Sequence, residues 1–402
     1  MLGTQASMPG VVLKCCLISV SMKYVFWYWR EYPDFKPETC LDLANTQIIN
    51  DLKKYEIPYA VYQYIKHRDK EFLKFCKSLH NEKVVYFVPE ECRLFLSGYL
   101  DQVYKILQKN NLKLEIWLGN FEETQGVKTV GIDLPNDRIS VINWNTFLMY
   151  ESFYYFAKDH LKVSSADVNI DRPFVCLNNR VTYYRCKLVE SLSRNDLLSK
   201  GYVSWIKSLD DGIYDDIFES FDNMPRLLDR NEENQSLKTH QLIYEEKYFK
   251  GFVNIISEGE VMLKDISEKT FYAILHKKPF LILGSSKIHK TLKALGFELY
   301  DNLFDYSFDD EECIDKRIEG IIQNIKSIEN KDYNVLYKIL SKKLEKNFNR
   351  YIEILKKEDN NMKLFLKHLN NTKENSNEHD ILLDYYRLIQ TFKSTHFDPS
   401  NP

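Results

Sequence analysis

The chain carries none of the short motifs that announce the commonest nucleotide and hydrolytic sites. It has no GxxxxGK[ST] loop, no GxGxxG, no HExxH and no GxSxG. That removes the best support for a P-loop kinase, a dinucleotide-dependent dehydrogenase, a zincin or a serine hydrolase. Its eight cysteines (Cys15, Cys16, Cys40, Cys76, Cys92, Cys176, Cys186, Cys313) are scattered, with no CxxC pair. Such spacing argues against a zinc site and against a small disulfide scaffold. Cys176, for example, lies in Phe174-Val175-Cys176-Leu177, where a free thiol behaves as a small hydrophobe, so a reducing compartment fits. The apolar stretch Val11–Val20 is interrupted by Lys14 and falls short of the roughly 20 residues that span a bilayer. It also lacks the charged start and cleavage site of a signal peptide. A cytoplasmic location without a membrane span is expected, with residues 1–21 as an N-terminal extension. A formal net charge of -3 gives no global pull toward nucleic acid, although a local basic groove stays open. No internal repeat is visible.

What is present suits a globular α/β protein. The 402 residues exceed one ordinary core, and 44% hydrophobic with 28% charged residues is a folded composition. The 27 tyrosines and 24 phenylalanines suit either sugar stacking or, more simply, strands and cores. Met22–Trp29 and Lys83–Val88 read as buried strands, and Leu94–Lys109 has helical spacing. Leu112–Leu118 and Val127–Ile132 read as further strands, and Phe147–Phe156 is an aromatic segment carrying Glu151. Asp171-Arg172-Pro173 breaks the chain, placing a first domain at 22–170 and a second at 171–330. The second repeats the grammar. Strands are expected at Pro173–Leu177, Gly201–Trp205, Phe252–Ile256 and Pro279–Leu283. Helices are expected at Tyr183–Ser193, Ser267–His276, Ile288–Leu295 and Ile314–Ile328. Residues 331–402 read as a Lys- and Asn-rich helical segment, helical from Tyr333 to about Leu369 and again at Ile381–Phe392, with its charges on a solvated face.

Two segments carry candidate chemistry. In FVCLNNRVTYYR a buried strand runs into Asn178, Asn179 and Arg180, and a helix follows with Arg185 in its first turn. Ligands of open α/β sheets bind beyond the carboxyl ends of strands, where a helix N-terminus favours phosphate. Arg180 and Arg185 could add forked hydrogen bonds to a diphosphate, or serve only as surface ion-pairing residues. In NIISEGEVMLKDISEKT, Glu258 follows a strand and Ser267-Glu268-Lys269 opens a helix. There a carboxylate could accept from ribose hydroxyls and a lysine neutralise phosphate. The plainer alternative is a helix cap, with Ser267 as the cap and Glu268 favouring the dipole.

With these residues in order, Phe174 to Leu303 resembles the donor-binding domain of fucosyltransferase-like glycosyltransferases of the GT-B type. The features that carry the likeness are Asn179, Arg185, Leu192 and Gly201, then Glu258, Ser267-Glu268-Lys269 and the strand Pro279–Gly284. ISEKTFYAILHKKPFLILGSSKIHKTLKALGF also looks like a region found in related phage, large-virus and bacterial glycosyltransferases. The likeness covers about a third of the chain. It implies two Rossmann-like domains facing across a cleft, C-terminal helices, and inverting transfer without a cofactor or metal from a nucleotide sugar, a GDP-sugar being favoured, to a glycan or other hydroxyl acceptor. It also implies that Arg185 and Lys269 hold the donor diphosphate, that Glu268 binds the ribose, and that Glu258 lies near the sugar.

An inverting transfer needs a base for the acceptor hydroxyl. Glu90 or Glu91, closing the strand KVVYFV, suits that place, with Glu151 in reserve, although the family's Glu-Ser-Pro is absent. Asp210-Asp211 and Asp215-Asp216 read as solvated. His276 and His289 read as structural or exposed. Two alternatives stay open: transfer to hydroxymethylated bases of phage DNA, and a non-catalytic nucleotide-sugar or glycan-binding module.

Overall fold

The computed structural model describes residues 12–15, 23–28, 69–88, 99–118, 137–143, 149, 152–153, 156, 169–178, 182–206, 227–228, 246–258, 261 and 266–357. The chain divides into two compact units. One comprises Met1–Phe147 with Glu358–Gln390, the other Leu148–Lys357 with Thr391–Pro402.

The first unit is built on a five-stranded sheet of strands β1 (Val12–Cys15), β2 (Lys23–Tyr28), β3 (Glu82–Val88), β4 (Lys113–Leu118) and β5 (Ile139–Asn143), paired in that order. Strand β1 pairs antiparallel with β2, and every other pairing is parallel. The extension expected at 1–21 therefore supplies an edge strand, the short run Val12-Leu13-Lys14-Cys15. Residues 69–77 form helix α1, and Tyr99–Lys109 forms α2. Phe72 of α1 stacks on Tyr86 of β3 with centroids 4.7 Å apart. Val103 and Leu107 of α2 join Leu114 and Ile116 of β4 in the same core. The expected strand Val127–Ile132 lies outside the described residues.

The second unit holds β6 (Arg172–Asn178), β7 (Tyr202–Ile206), β8 (Leu227–Leu228), β9 (Gly251–Ser257) and β10 (Phe280–Leu283), in the spatial order β10-β9-β6-β7-β8. Only the β7–β8 pairing is antiparallel. Strand β9 is buried along its whole length, as a parallel strand covered on both faces should be. Because β6 is flanked by β7 on one side and β9 on the other, chain order reverses between β6 and β9. That reversal is where open α/β sheets place their ligands.

The helices of this unit are α3 (Tyr183–Arg194), α4 (Glu246–Lys250), α5 (Glu268–Leu275), α6 (Ile288–Ala294), α7 (Ile314–Ile328) and α8 (Tyr333–Lys357). Helix α6 ends where the sequence places Gly296: that residue has φ +92°, and Phe297 N–H returns to Leu292 O at 3.1 Å, a left-handed C-terminal closure.

Two segments from outside the expected 171–330 domain lie in the second unit. The aromatic segment that closed the expected first domain belongs to the second unit, because Phe156 packs edge-on against His276 and Phe348 at 5.2 and 6.2 Å. Helix α8 is likewise part of that unit. Its Leu340, Leu344, Tyr351, Ile352 and Leu355 are buried, Tyr351 meets Phe271 of α5 at 5.8 Å, and Arg350 Nε donates to Leu295 O at 2.7 Å. Its lysines face outward, which made it read as separate and solvated. Among the described residues no helix is long and apolar enough to cross a membrane.

Candidate functional site

Helix α3 begins five residues after β6 ends, so its first turn stands at the carboxyl edge of the sheet. Its buried positions are Arg185, Cys186, Leu188, Val189 and Leu192. Residues 185, 188, 189 and 192 are one inward stripe at helical spacing, so the stripe that anchors the helix also carries the guanidinium inside. Arg185 is 5% exposed. Its Nη2 donates to the carbonyls of Ser257 and Glu258, both at 3.2 Å, and Tyr184 Oη donates to the Glu258 carbonyl at 3.1 Å. Thr182, the N-cap, makes no side-chain capping bond and α3 has no acidic residue in its first turn.

Glu258, directly after β9, ties the neighbouring elements together. Its N–H donates to Leu283 O of β10 at 3.0 Å, and its carbonyl takes the two α3 bonds. Its Oε1 accepts from Ser267 N–H at 3.2 Å and from Thr270 Oγ1 at 2.8 Å, which fastens the start of α5. The side chain is 0% exposed. Burial pushes the carboxyl above the usual carboxylate range, and Glu268 adds to the rise; Lys269 and the bonds from Ser267 and Thr270 oppose it. Gly284, after β10, leaves room for this packing: a Cβ there would stand 2.6 Å from Ile288 Cδ1 and 3.4 Å from Glu258 Cγ.

The start of α5 is a proper cap, with Ser267 Oγ accepting from Lys269 N–H at 3.3 Å. Lys269 Nζ pairs with Glu268 Oε1 at 3.0 Å, the two side chains being 24% and 30% exposed. Of the residues singled out from the sequence, Arg185, Glu258, Ser267, Glu268 and Lys269 thus gather at one carboxyl end, with Glu258 joining the two helix starts. Asn179, Arg180, Glu90, Glu91 and Glu151 lie outside the described residues, as do Asp210, Asp211, Asp215 and Asp216. Among the described residues no three His, Cys, Asp or Glu side chains gather as a metal site.

Beside Asn178 and Glu258, already singled out from the sequence, the serines at this end, Ser257 and Ser285, carry unpaired polar groups. Asn178 Oδ1, Ser257 Oγ, Glu258 Oε2 and Ser285 Oγ are buried without a hydrogen-bond partner. They belong to the ends of β6, β9 and β10, the last two paired through Leu283 and Ser257. A buried polar atom left unpaired costs about 1–3 kcal/mol, so such a cluster calls for an explanation. The sequence carried the signal: β6 and β9 each close on a polar residue, Asn178 and Ser257.

Both histidines are structural. His289 is fully buried; its Nε2 accepts from Ile282 N–H at 3.1 Å, covering the outer edge of β10, so the proton sits on Nδ1, which donates to Asp309 Oδ1 at 2.8 Å. Asp309 also takes the N–H groups of His289 and Lys290, both at 3.1 Å. Desolvation raises its carboxyl, but these bonds outweigh it and hold the group below its usual range. His276 ends α5 among Phe156, Tyr248 and Phe249.

Comparison of the chain with protein families, with curated proteins and with solved structures gives no match.

Proposed function

We propose that the protein is a glycosyltransferase of the GT-B type whose second unit binds a nucleotide-sugar donor, a GDP-sugar being favoured. One observation carries the reading. Arg185 from α3 and Lys269 from α5, 84 residues apart by their numbers, are brought to the same residue, Glu258, at the point where strand order reverses. Two cations at a strand-end crevice suit a diphosphate.

In this reading Lys269 is the cation that meets the ligand. It is part-exposed, pairs with the adjacent Glu268 carboxylate and reaches Ser267 Oγ at 3.5 Å; a part-exposed pair of this kind is worth little to stability, so exchanging Glu268 for a phosphate oxygen costs little. Arg185 works from beneath. Its guanidinium holds the two carbonyls that shape the β9 exit and adds a fixed positive charge at low dielectric. Such charge stabilises a departing nucleoside diphosphate as the bond to the anomeric carbon breaks. The acceptor hydroxyl, from a glycan or another alcohol, attacks that carbon with inversion while a carboxylate base takes its proton. Glu90, Glu91 and Glu151 are the candidates for that base.

The test is turnover. Incubation with GDP-, UDP- and dTDP-sugars is expected to release the matching nucleoside diphosphate, and Glu90→Gln or Glu91→Gln is expected to suppress release while leaving donor binding intact. Donor binding with no release under any acceptor would favour a non-catalytic binding module. Transfer to hydroxymethylated DNA, with affinity falling steeply as salt rises, would favour the nucleic-acid acceptor.

A further inference from the structure

The expectation from the sequence puts Glu258 near the sugar, yet the hydrogen bonds it makes all run to protein. The residue is 0% exposed, so neither carboxyl oxygen opens to solvent. Its N–H donates to Leu283 O at 3.0 Å, which fixes it against β10. Its carbonyl accepts from Arg185 Nη2 at 3.2 Å and from Tyr184 Oη at 3.1 Å, both in the first turn of α3. Its Oε1 accepts from Ser267 N–H at 3.2 Å and from Thr270 Oγ1 at 2.8 Å, both at the start of α5.

The α5 contacts follow the logic of a helix cap. In a capping box the side chain at the third helical position reaches back to the N–H of the cap residue. After the Ser267 cap that third position is Thr270, and its hydroxyl donates to Glu258 instead. The same carboxyl oxygen takes the Ser267 N–H, so a glutamate at the end of β9 closes the box from outside the helix. Lys269 lies between these two anchored residues, with its own N–H on Ser267 Oγ at 3.3 Å. The direction in which its side chain leaves α5 is therefore set by Glu258. Arg185 is held by the same residue from the α3 side. A charge-assisted hydrogen bond weakens once its donor is out of line, so the spacing of the two cations matters to any anion they share.

We infer that Glu258 is a positioning residue of the donor site, a bracket that sets Lys269 and Arg185 for a diphosphate and makes no contact with the sugar. The inference rests on the donor-site reading above and takes Glu258 off the ligand.

The test measures the affinity of the full chain for inorganic pyrophosphate, GDP, UDP, GDP-mannose and UDP-glucose, with the folding of each variant followed by circular dichroism. Glu258→Ala should weaken pyrophosphate and both nucleoside diphosphates by about tenfold, the worth of one charge-assisted bond. Each nucleotide sugar should lose the same factor as its own diphosphate. Glu258→Gln keeps an oxygen where Oε1 stands and should bind within about threefold of wild type. Lys269→Ala should cost about tenfold in wild type but less than about twofold once Glu258 is alanine, because residues that act through one another do not add. Should Glu258→Ala fail to fold, Thr270→Val and Thr270→Ser take its place. Valine lacks the hydroxyl and should weaken pyrophosphate by about threefold, whereas serine should bind like wild type. A larger loss for the nucleotide sugars than for their diphosphates, a glutamine variant as weak as alanine, or losses at positions 258 and 269 that simply multiply would overturn the inference and leave the donor reading standing. So would a valine variant at position 270 that binds like wild type. Wild-type protein that binds none of the five would overturn the donor reading and the inference with it.

Discussion

Lys278 lies just before β10 and is 5% exposed. Its ammonium donates to Gly251 O and sits 4.9 Å from the centroid of the Tyr248 ring, and no carboxylate is among these partners. Burial drives its pKa down from 10.5 to about 7. Between those values the unfolded chain holds the proton and the folded chain does not, so stability must rise with pH across that window. A gap of this size corresponds to on the order of 5 kcal/mol of destabilisation when the group is charged in both states, that is, below about pH 7. Lys278→Met keeps the bulk and removes the charge. Urea unfolding of wild type and variant, followed by circular dichroism, should show wild type gaining about 2 kcal/mol relative to the variant between about pH 7 and about pH 9. The variant should be the more stable protein at neutral pH. Parallel stability profiles for the two proteins, or a variant several kcal/mol weaker at neutral pH, would refute the claim that this ammonium is buried at a cost.

Gly201→Ala should destabilise the second unit by about 3 kcal/mol or more, because the new Cβ would stand 2.3 Å from Phe174 Cζ, inside the ring's van der Waals envelope; a change in melting temperature within error would contradict that packing. Asp309→Ala removes two N–H acceptors at the start of α6 and the partner of His289 Nδ1, and should cost about 2–3 kcal/mol, read by faster amide exchange across β10 and α6. Arg185→Lys keeps a charge but cannot span the carbonyls of Ser257 and Glu258. It should weaken nucleotide binding about tenfold and also lower the melting temperature, whereas a lysine variant that binds like wild type would show that only charge matters there.

Much of the second unit was legible because its strands are short apolar runs separated by helices with an apolar stripe, and because Ser267 caps α5. PFLILGSS and the Ser267 start of α5 fall within a residue or two of where the periodicity puts them. In the first unit β1 and β5 escaped notice. Val12–Cys15 carries Lys14 in a run that reads as a failed membrane span, and Ile139–Asn143 alternates too briefly to stand out. Helix α1 was hidden in a charged stretch where Phe72, Leu73 and Cys76 turn inward. Helix α8 was visible as a helix but not as core, since lysines and asparagines run between its buried positions. At the site, the sequence named Arg185 and Glu258 but assigned both to ligand contact. Spacing from Arg185 to Leu188, Val189 and Leu192 already put the arginine on the buried stripe. That it would bond two carbonyls 72 and 73 residues away depends on how β6 and β9 pair, which no local pattern encodes.

The account depends on one anion-binding point where α3 and α5 meet the end of β9. A thermal-shift titration with GDP, UDP and dTDP on wild type, Lys269→Ala and Arg185→Ala addresses it most directly. Ligand at about a hundred times its dissociation constant contributes about 2.7 kcal/mol, which for a unit of this size raises the melting temperature by roughly 5–10 °C. The account predicts such a rise for wild type with at least one nucleotide, and its loss in both variants. No rise with any of the three, or a rise that survives both substitutions, would contradict it.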